Sequence, residues 1–396
     1  MKLFKLAFLS LCGLIALNVK AQEANFSEVP GTVIAHKPKS GKVYLGSPSI
    51  CKLPNGDYLV SHDNFGPSTK EHEMAISNIY RSTNKGKTWR LVTEINGAFW
   101  SKLFVHNKEV YFIGTNKHHG NLILRKSTDN GSTWTAPVDT NSGLLLQGEY
   151  HVASTPPIYS NGRIWRAIED ASGTDRKIWG PRYAAMMISA PEDADLLKAE
   201  SWTKSNFIPM DSTYLNGKFG GWVEGNALVA PNGELVNVLR VHDKGSFDEK
   251  AAIVRISTDG KVATFDHAKD FILFPGGSKK FVIKYDKKSK KYWSLVNYVP
   301  EDVKLGAKKL PKVKFSTHIR NTLALCSSTD LMNWQVNKIV LQHPDILKHA
   351  FQYADWLVEG KDILFVSRTA FDDGLGGAAN NHNNNFITFH KIKNFR

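Results

Sequence analysis

Cysteine is nearly absent. Of 396 residues three are Cys, and only Cys51 and Cys326 lie beyond the first 21 positions. That excludes a disulfide scaffold; the two thiols form one bridge or stay reduced and buried. Long apolar runs are missing too. The longest, Leu6 to Leu17, falls short of the roughly 20 residues that a membrane-spanning helix needs. It follows Lys2 and Lys5 and precedes Val19-Lys20-Ala21, the layout of a cleavable secretory signal over residues 1–21. Cys12 follows Leu11, where a lipid-attachment motif needs a small residue, so lipidation is not expected. The expected mature chain, residues 22–396, is therefore exported, periplasmic or secreted, with no membrane span.

Acidic residues are outnumbered, 37 Asp and Glu against 51 Lys and Arg, for a net charge of +14. Removing Lys2, Lys5 and Lys20 with the signal leaves +11. A basic surface suits a polyanionic partner such as an acidic polysaccharide or a nucleic acid. The lysines are scattered in pairs such as Lys279-Lys280 and Lys287-Lys288, which also fits solvated hairpin tips. No basic motif interleaved with aromatics points to nucleic acid.

Helix signals are scarce as well, limited to Pro191–Ala199 and Pro344–His349. What the chain has instead is short runs of Val, Ile, Tyr, Phe and Trp between Gly, Asn, Asp and Pro turns, an all-β pattern. Ser127-Thr128-Asp129-Asn130-Gly131-Ser132-Thr133-Trp134 has the form of a hairpin turn: Asp caps its own backbone, Gly takes positive φ and Trp packs the turn on the sheet. Related turns begin at Ser82, Ser257 and Ser328. Pro54-Asn55-Gly56-Asp57 and Pro231-Asn232-Gly233-Glu234 are a second repeated turn. Repeats of this kind predict a single propeller. At roughly 40–50 residues per four-stranded blade, the chain holds about seven blades, or six with long loops. Phe386-Ile387-Thr388-Phe389 reads as the strand that closes the ring.

A propeller gathers strand ends around one axial mouth, so charged and aromatic residues at strand ends are the candidates. His118 and His119 sit at a strand-to-strand turn. Tyr150 and His151 precede the strand carrying Arg166 and Glu169, where charge is costly unless paired or used. Trp222 and Glu224 form a Gly-flanked aromatic and acid suited to a sugar; core packing of Trp222 is the alternative. Arg240 ends a strand and offers a planar fork to a carboxylate. His62 also ends a strand. Asp243, His318 and Cys326 are ligand types that suit a structural zinc, without a compact motif.

The Trp turn resembles the Asp box of the sialidase-like β-propellers, where it marks the fold and lies away from catalysis. A sialidase needs three arginines on the sialate carboxylate, a Tyr–Glu nucleophile pair and an Asp acid; the sequence displays no such set. Tyr44-Leu45-Gly46-Ser47-Pro48-Ser49-Ile50, Trp222-Val223-Glu224-Gly225-Asn226 and Ile319-Arg320-Asn321-Thr322-Leu323-Ala324 make the chain similar to propeller enzymes that attack rhamnose–uronate polysaccharides. These are the ulvan lyases and related α-L-rhamnosidases. The resemblance to the lyases implies His119 and His151 as acid and base, Arg240 as neutraliser of the uronate, and a Tyr. Tyr214 is nearest in the chain, with Glu224 as the alternative occupant of that place. Such lyases can carry zinc, which keeps Asp243, His318 and Cys326 in view, although β-elimination needs no cofactor. Arg240 would neutralise the carboxylate and so acidify the C5 hydrogen, a neutral His would remove it, and Tyr or His would protonate the departing O4. The expectation is thus a monomeric ulvan lyase acting on a sulfated, uronate-containing polysaccharide. The alternatives are an α-L-rhamnosidase and a non-catalytic glycan-binding propeller.

Overall fold

The computed structural model describes residues 23–173, 175 and 177–396. The expected signal over 1–21, with Cys12, lies outside them. The described chain is all-β, a propeller of six blades. The count is the lower of the two expected. Excursions between strands, such as 297–321 and 371–385, take up the residues that a seventh blade would need.

Each blade's innermost strand comes first in the chain, except that blade 3 divides its inner edge between Tyr150–His151 and Ile158–Ser160. The other inner strands are Tyr44–Lys52, Phe99–His106, Phe219–Val229, Val282–Asp286 and Ala350–Glu359. Blade 6 continues with Asp362–Ala370 and Phe386–Ile392, and its outermost strand is the chain's first, Thr32–His36. The expected closing strand therefore pairs with the opposite end of the chain, which leaves the ring no open edge. Neither expected helix forms. The α-helical turn of any length is Glu301–Ala307, since Leu215 and Asn216 within Tyr214–Gly217 have left-handed backbone.

All four Trp-type turns occupy one place, the link from third to fourth strand, in blades 1, 2, 4 and 5. In blade 2, Asp129 Oδ1 accepts the Ser132 and Thr133 N–H groups at 3.0 and 2.9 Å, and Trp134 Nε1 donates to the Gly131 carbonyl at 3.1 Å. Gly131 lies at φ +86° with Leu59 where a Cβ would go, so only Gly fits without strain. The Pro-Asn-Gly turns join first and second strands at this same end. The links from second to third strand therefore collect at the opposite end, which is the mouth.

The hydrophobic core is six wedges, one between each pair of neighbouring blades. The axis itself is polar. Lys102 Nζ pairs with Asp355 and donates to the Ile50 carbonyl at 3.1 Å, and Lys280 Nζ donates to the Ala354 carbonyl at 2.9 Å. Cys51 and Cys326 are free and buried in two different wedges.

Candidate active site

Four inner strands break register near the mouth, between Gly46 and Ser49, Phe99 and Lys102, Val223 and Asn226, and Gln352 and Asp355. Each bulge holds one non-glycine residue at positive φ: Ser47 at 31°, Trp100 at 51°, Glu224 at 63° and Tyr353 at 55°. All four line one axial cavity of about 390 Å³. A bulge re-aims a side chain that regular alternation would send into a wedge. Left-handed backbone on bulky residues costs about 1–3 kcal/mol each and is typical of binding sites.

One wall of the cavity is cationic. Arg240 lies in the second strand of blade 4, opposite Val223, and Arg368 lies in the second strand of blade 6, opposite Gln352. Arg320, just before the third strand of blade 5, lines the adjoining cavity. The Tyr353 hydroxyl reaches both the Glu224 carboxylate and the Arg240 guanidinium. Arg368 packs over the Tyr353 ring at 4.5 Å and Arg320 at 6.0 Å. Arg240 Nη1 lies 2.9 Å from Glu224 Oε2, and its Nε donates to the Ser278 carbonyl at 2.8 Å. Burial raises the Glu224 carboxyl, but Arg240, His151 and Tyr353 together outweigh it and hold Glu224 below the usual carboxylate range. Among the described residues, Arg320 and Arg368 have no acidic side chain within salt-bridge distance. Arg320 bonds Gln352 Oε1 at 2.7 Å, and Arg368 bonds Asn384 Oδ1 at 3.1 Å and the His382 carbonyl at 2.6 Å. Burial lowers both guanidinium groups to about 10, so both stay charged at neutral pH. Two guanidinium groups against one carboxylate leave this wall about one charge positive, and Arg320 adds a further cation from the adjoining cavity.

The facing wall is aromatic. His119 Nε2 lies 2.9 Å from the Tyr183 hydroxyl, and His151 Nδ1 lies 2.6 Å from Glu169 Oε2. Glu169 also accepts the Gly225 N–H at 3.0 Å. Trp100 lies against His119 and His151, at 5.4 and 4.2 Å between ring centroids. Burial, then His118 and His151, lowers His119 to about 2, so its imidazole is neutral. Burial pushes the Tyr183 phenol up.

His118, His119, His151, Glu224 and Arg240 of the sequence candidates thus line one cavity. The others do not. Tyr214 packs outside it among Phe219, Phe265, His267 and Phe271, so the Tyr beside the imidazoles is Tyr183. Trp222 is fully buried in the wedge between blades 3 and 4, which leaves no face for a sugar. Tyr150 points into a wedge because it neighbours His151 on a strand, and neighbours face opposite ways. His62 is buried against Tyr80 with Nδ1 at 3.2 Å from the Asp63 carbonyl. Arg166 is buried on Thr155 and the Ala153 carbonyl, not on Glu169, which three residues along a strand faces the other way. The zinc trio does not assemble: Cys326 is in a wedge, Asp243 pairs with Lys250, and His318 lies in a neighbouring cavity. Arg368, Tyr353 and Tyr183 were not among the sequence candidates, and Arg320 appeared only inside a resemblance motif.

That neighbouring cavity, about 630 Å³, shares Trp179, Arg240 and His382 with the first. Lys312, His318, Arg320 and Lys348 also line it, and no acidic residue does.

No family model matches the chain, and no curated protein matches it in sequence. Solved structures match it in fold. An α-L-arabinanase of Penicillium chrysogenum, complexed with arabinobiose, is 17% identical with a TM-score of 0.55, over 92% of this chain and 97% of the other. The two chains share a fold. A Dyadobacter fermentans protein of unknown function is 14% identical with a TM-score of 0.59, over 92% and 98% of the two chains. A Hadza microbial sialidase is 14% identical with a TM-score of 0.58, over 92% of this chain and 68% of its own. At such identities the likeness is one of fold.

Proposed function

We propose that this protein hydrolyses glycosides of an acidic sugar, with Tyr353 as the attacking oxygen and Glu224 as its base. The observation that carries the reading is that Tyr353 and Glu224, each at the bulge of an inner strand, interact in one cavity, with Arg240, Arg320 and Arg368 around Tyr353. A sugar carboxylate on the guanidinium groups brings its anomeric carbon to Tyr353. A carboxylate nucleophile would meet a like charge there, a repulsion of about 4 kcal/mol at 4 Å and an effective dielectric of 20. A neutral phenol that gives its proton to Glu224 avoids it. The new bond joins the phenolic oxygen to the anomeric carbon, and the glycosidic bond breaks as the departing oxygen takes a proton from water. A water molecule then displaces the phenol, which recovers its proton from Glu224, and the sugar is released. The sequence displays no such set because its members are spread over blades 4, 5 and 6.

The sugar class follows from the wall. Three guanidinium groups favour a carboxylate at or beside the anomeric carbon over a neutral sugar. The adjoining cavity, cationic and free of acids, suits a further anionic unit of the same chain, carboxylated or sulfated. The arabinanase and sialidases among the fold neighbours support action on glycans. Export, as residues 1–21 suggest, would place the enzyme with such a polymer.

A second reading, ulvan lyase, is favoured by the neutral His119 imidazole at 2.9 Å from Tyr183 in the same cavity. His119 would take the C5 hydrogen of a uronate held by Arg240, and Tyr183 would protonate O4. The test is incubation with sialyl and other acidic glycosides and with ulvan. Release of a saturated acidic sugar, abolished in Tyr353→Phe and retained in Tyr183→Phe, supports hydrolysis. Ultraviolet-absorbing unsaturated products, abolished in Tyr183→Phe, support the lyase and overturn the first reading.

A further inference from the structure

Two loops of the mouth, 66–75 of blade 1 and 116–121 of blade 2, bring together three side chains that neither mechanism uses. Glu71, His72 and His118 each place a ligand atom within 4.8 Å of the other two. His118 Nδ1 stands 3.0 Å from His72 Nδ1, and His72 Nε2 stands 3.8 Å from Glu71 Oε1. Two imidazoles and one carboxylate are a donor set of catalytic zinc sites. Nitrogens bound to one tetrahedral zinc at about 2.0–2.1 Å are themselves about 3.3–3.4 Å apart. The two rings need to part by only a few tenths of an ångström to take an ion between them.

The surroundings hold the donors in place. The His118 N–H donates to the Glu71 carbonyl at 2.7 Å and ties the loops together. The His118 ring is sandwiched by His119 at 4.3 Å and Trp100 at 4.6 Å. Glu71 Oε2 accepts the Gly66 N–H at 2.6 Å and the Thr69 hydroxyl, which leaves Oε1 toward the imidazoles. Carboxylates oriented in this way are the second layer that metal sites depend on. Glu71 and His118 line the cavity, whereas the His72 side chain is 70% exposed.

We propose that Glu71, His72 and His118 bind one divalent transition-metal ion, best matched by zinc, at the rim of the mouth. With three protein ligands the fourth position stays open toward the cavity, facing the cationic wall. A hydroxyl or carboxylate oxygen of a bound glycan fits that position. The site is distinct from Asp243, His318 and Cys326 and does not depend on whether the enzyme hydrolyses or eliminates.

The test is calorimetric titration of the chelator-treated full chain with zinc chloride, with cobalt(II) as a spectroscopic substitute. The expected result is one ion per chain and the intense visible absorption of tetrahedral cobalt. His72→Ala, at an exposed position, should weaken binding at least about tenfold without altering the circular dichroism spectrum. Glu71→Gln should weaken it in the same direction. Absence of binding by the unaltered chain, or equal affinity in His72→Ala and the unaltered chain, overturns the proposal.

Discussion

Glu224 and Tyr353 hold equivalent places in different blades, each at the bulge of an innermost strand with left-handed backbone, and their side chains meet across the axis. The pair is made by ring geometry, since the residues belong to blades 4 and 6. Tyr353→Phe removes one oxygen and nothing else. It should lower kcat at least about a thousandfold while substrate still binds. Single-turnover kinetics and a binding measurement on the variant check this; near-normal kcat would remove Tyr353 from the chemistry.

Arg320 contacts Gln352 and no acid, so its charge is available to a ligand. Arg320→Ala should weaken an acidic substrate by about 1.5–3 kcal/mol, seen in KM, with a neutral analogue little affected. Equal losses for acidic and neutral compounds would show that the residue only supports the wall.

Asp355 is the acid on the axis, fully buried, paired with Lys102 and accepting the Ile50 N–H at 2.8 Å. Asp355→Ala leaves a buried ammonium without its partner and should cost about 3–5 kcal/mol. Urea unfolding measures it. A change below about 1 kcal/mol would mean that water reaches Lys102 in the variant.

Acid should destabilise the fold through its buried histidines, with an opposing contribution from Asp63, whose carboxyl burial pushes up to about 7. Burial keeps His62 and His390 neutral down to about 4 and about 3, whereas an unfolded imidazole protonates near 6.5. Below 6.5 the unfolded chain therefore binds more protons than the folded one. The stability due to these histidines is complete above that value and is lost as pH falls toward 4. The slope is about 1.4 kcal/mol per pH unit for each histidine. Urea midpoints that stay flat between about pH 7 and about pH 4.5 would contradict the burial of these two rings.

Much of the fold was legible because its turns are local. Ser127 to Trp134 satisfies its own hydrogen bonds within eight residues, and the same solution recurs at Ser82, Ser257 and Ser328. The site was only partly legible. His119, His151, Glu224 and Arg240 show as polar residues at strand ends. Tyr353, within Phe351-Gln352-Tyr353-Ala354-Asp355-Trp356, reads as one more aromatic in a strand, and only the bulge turns it to the axis. Trp222 failed in the other direction: Gly neighbours suggest exposure, but register carries it into a wedge. The blade number came out as the lower of the two expected counts, because mouth excursions such as 297–321 have no counterpart in the repeat.

The pairing of Thr32–His36 with Phe386–Ile392 sets an order of events for folding. Thr32–His36 is synthesised before all five other blades and its partner after them, so it must wait, uncommitted, until they have been made. Blades 1 to 5 can form as hairpin stacks beforehand, whereas blade 6 cannot be completed. Both strands leave the sheet at the same end, so a pull on the two termini opens the rungs one after another, like a zipper. Losing either terminal segment would not trim the molecule; it would leave the circle unclasped.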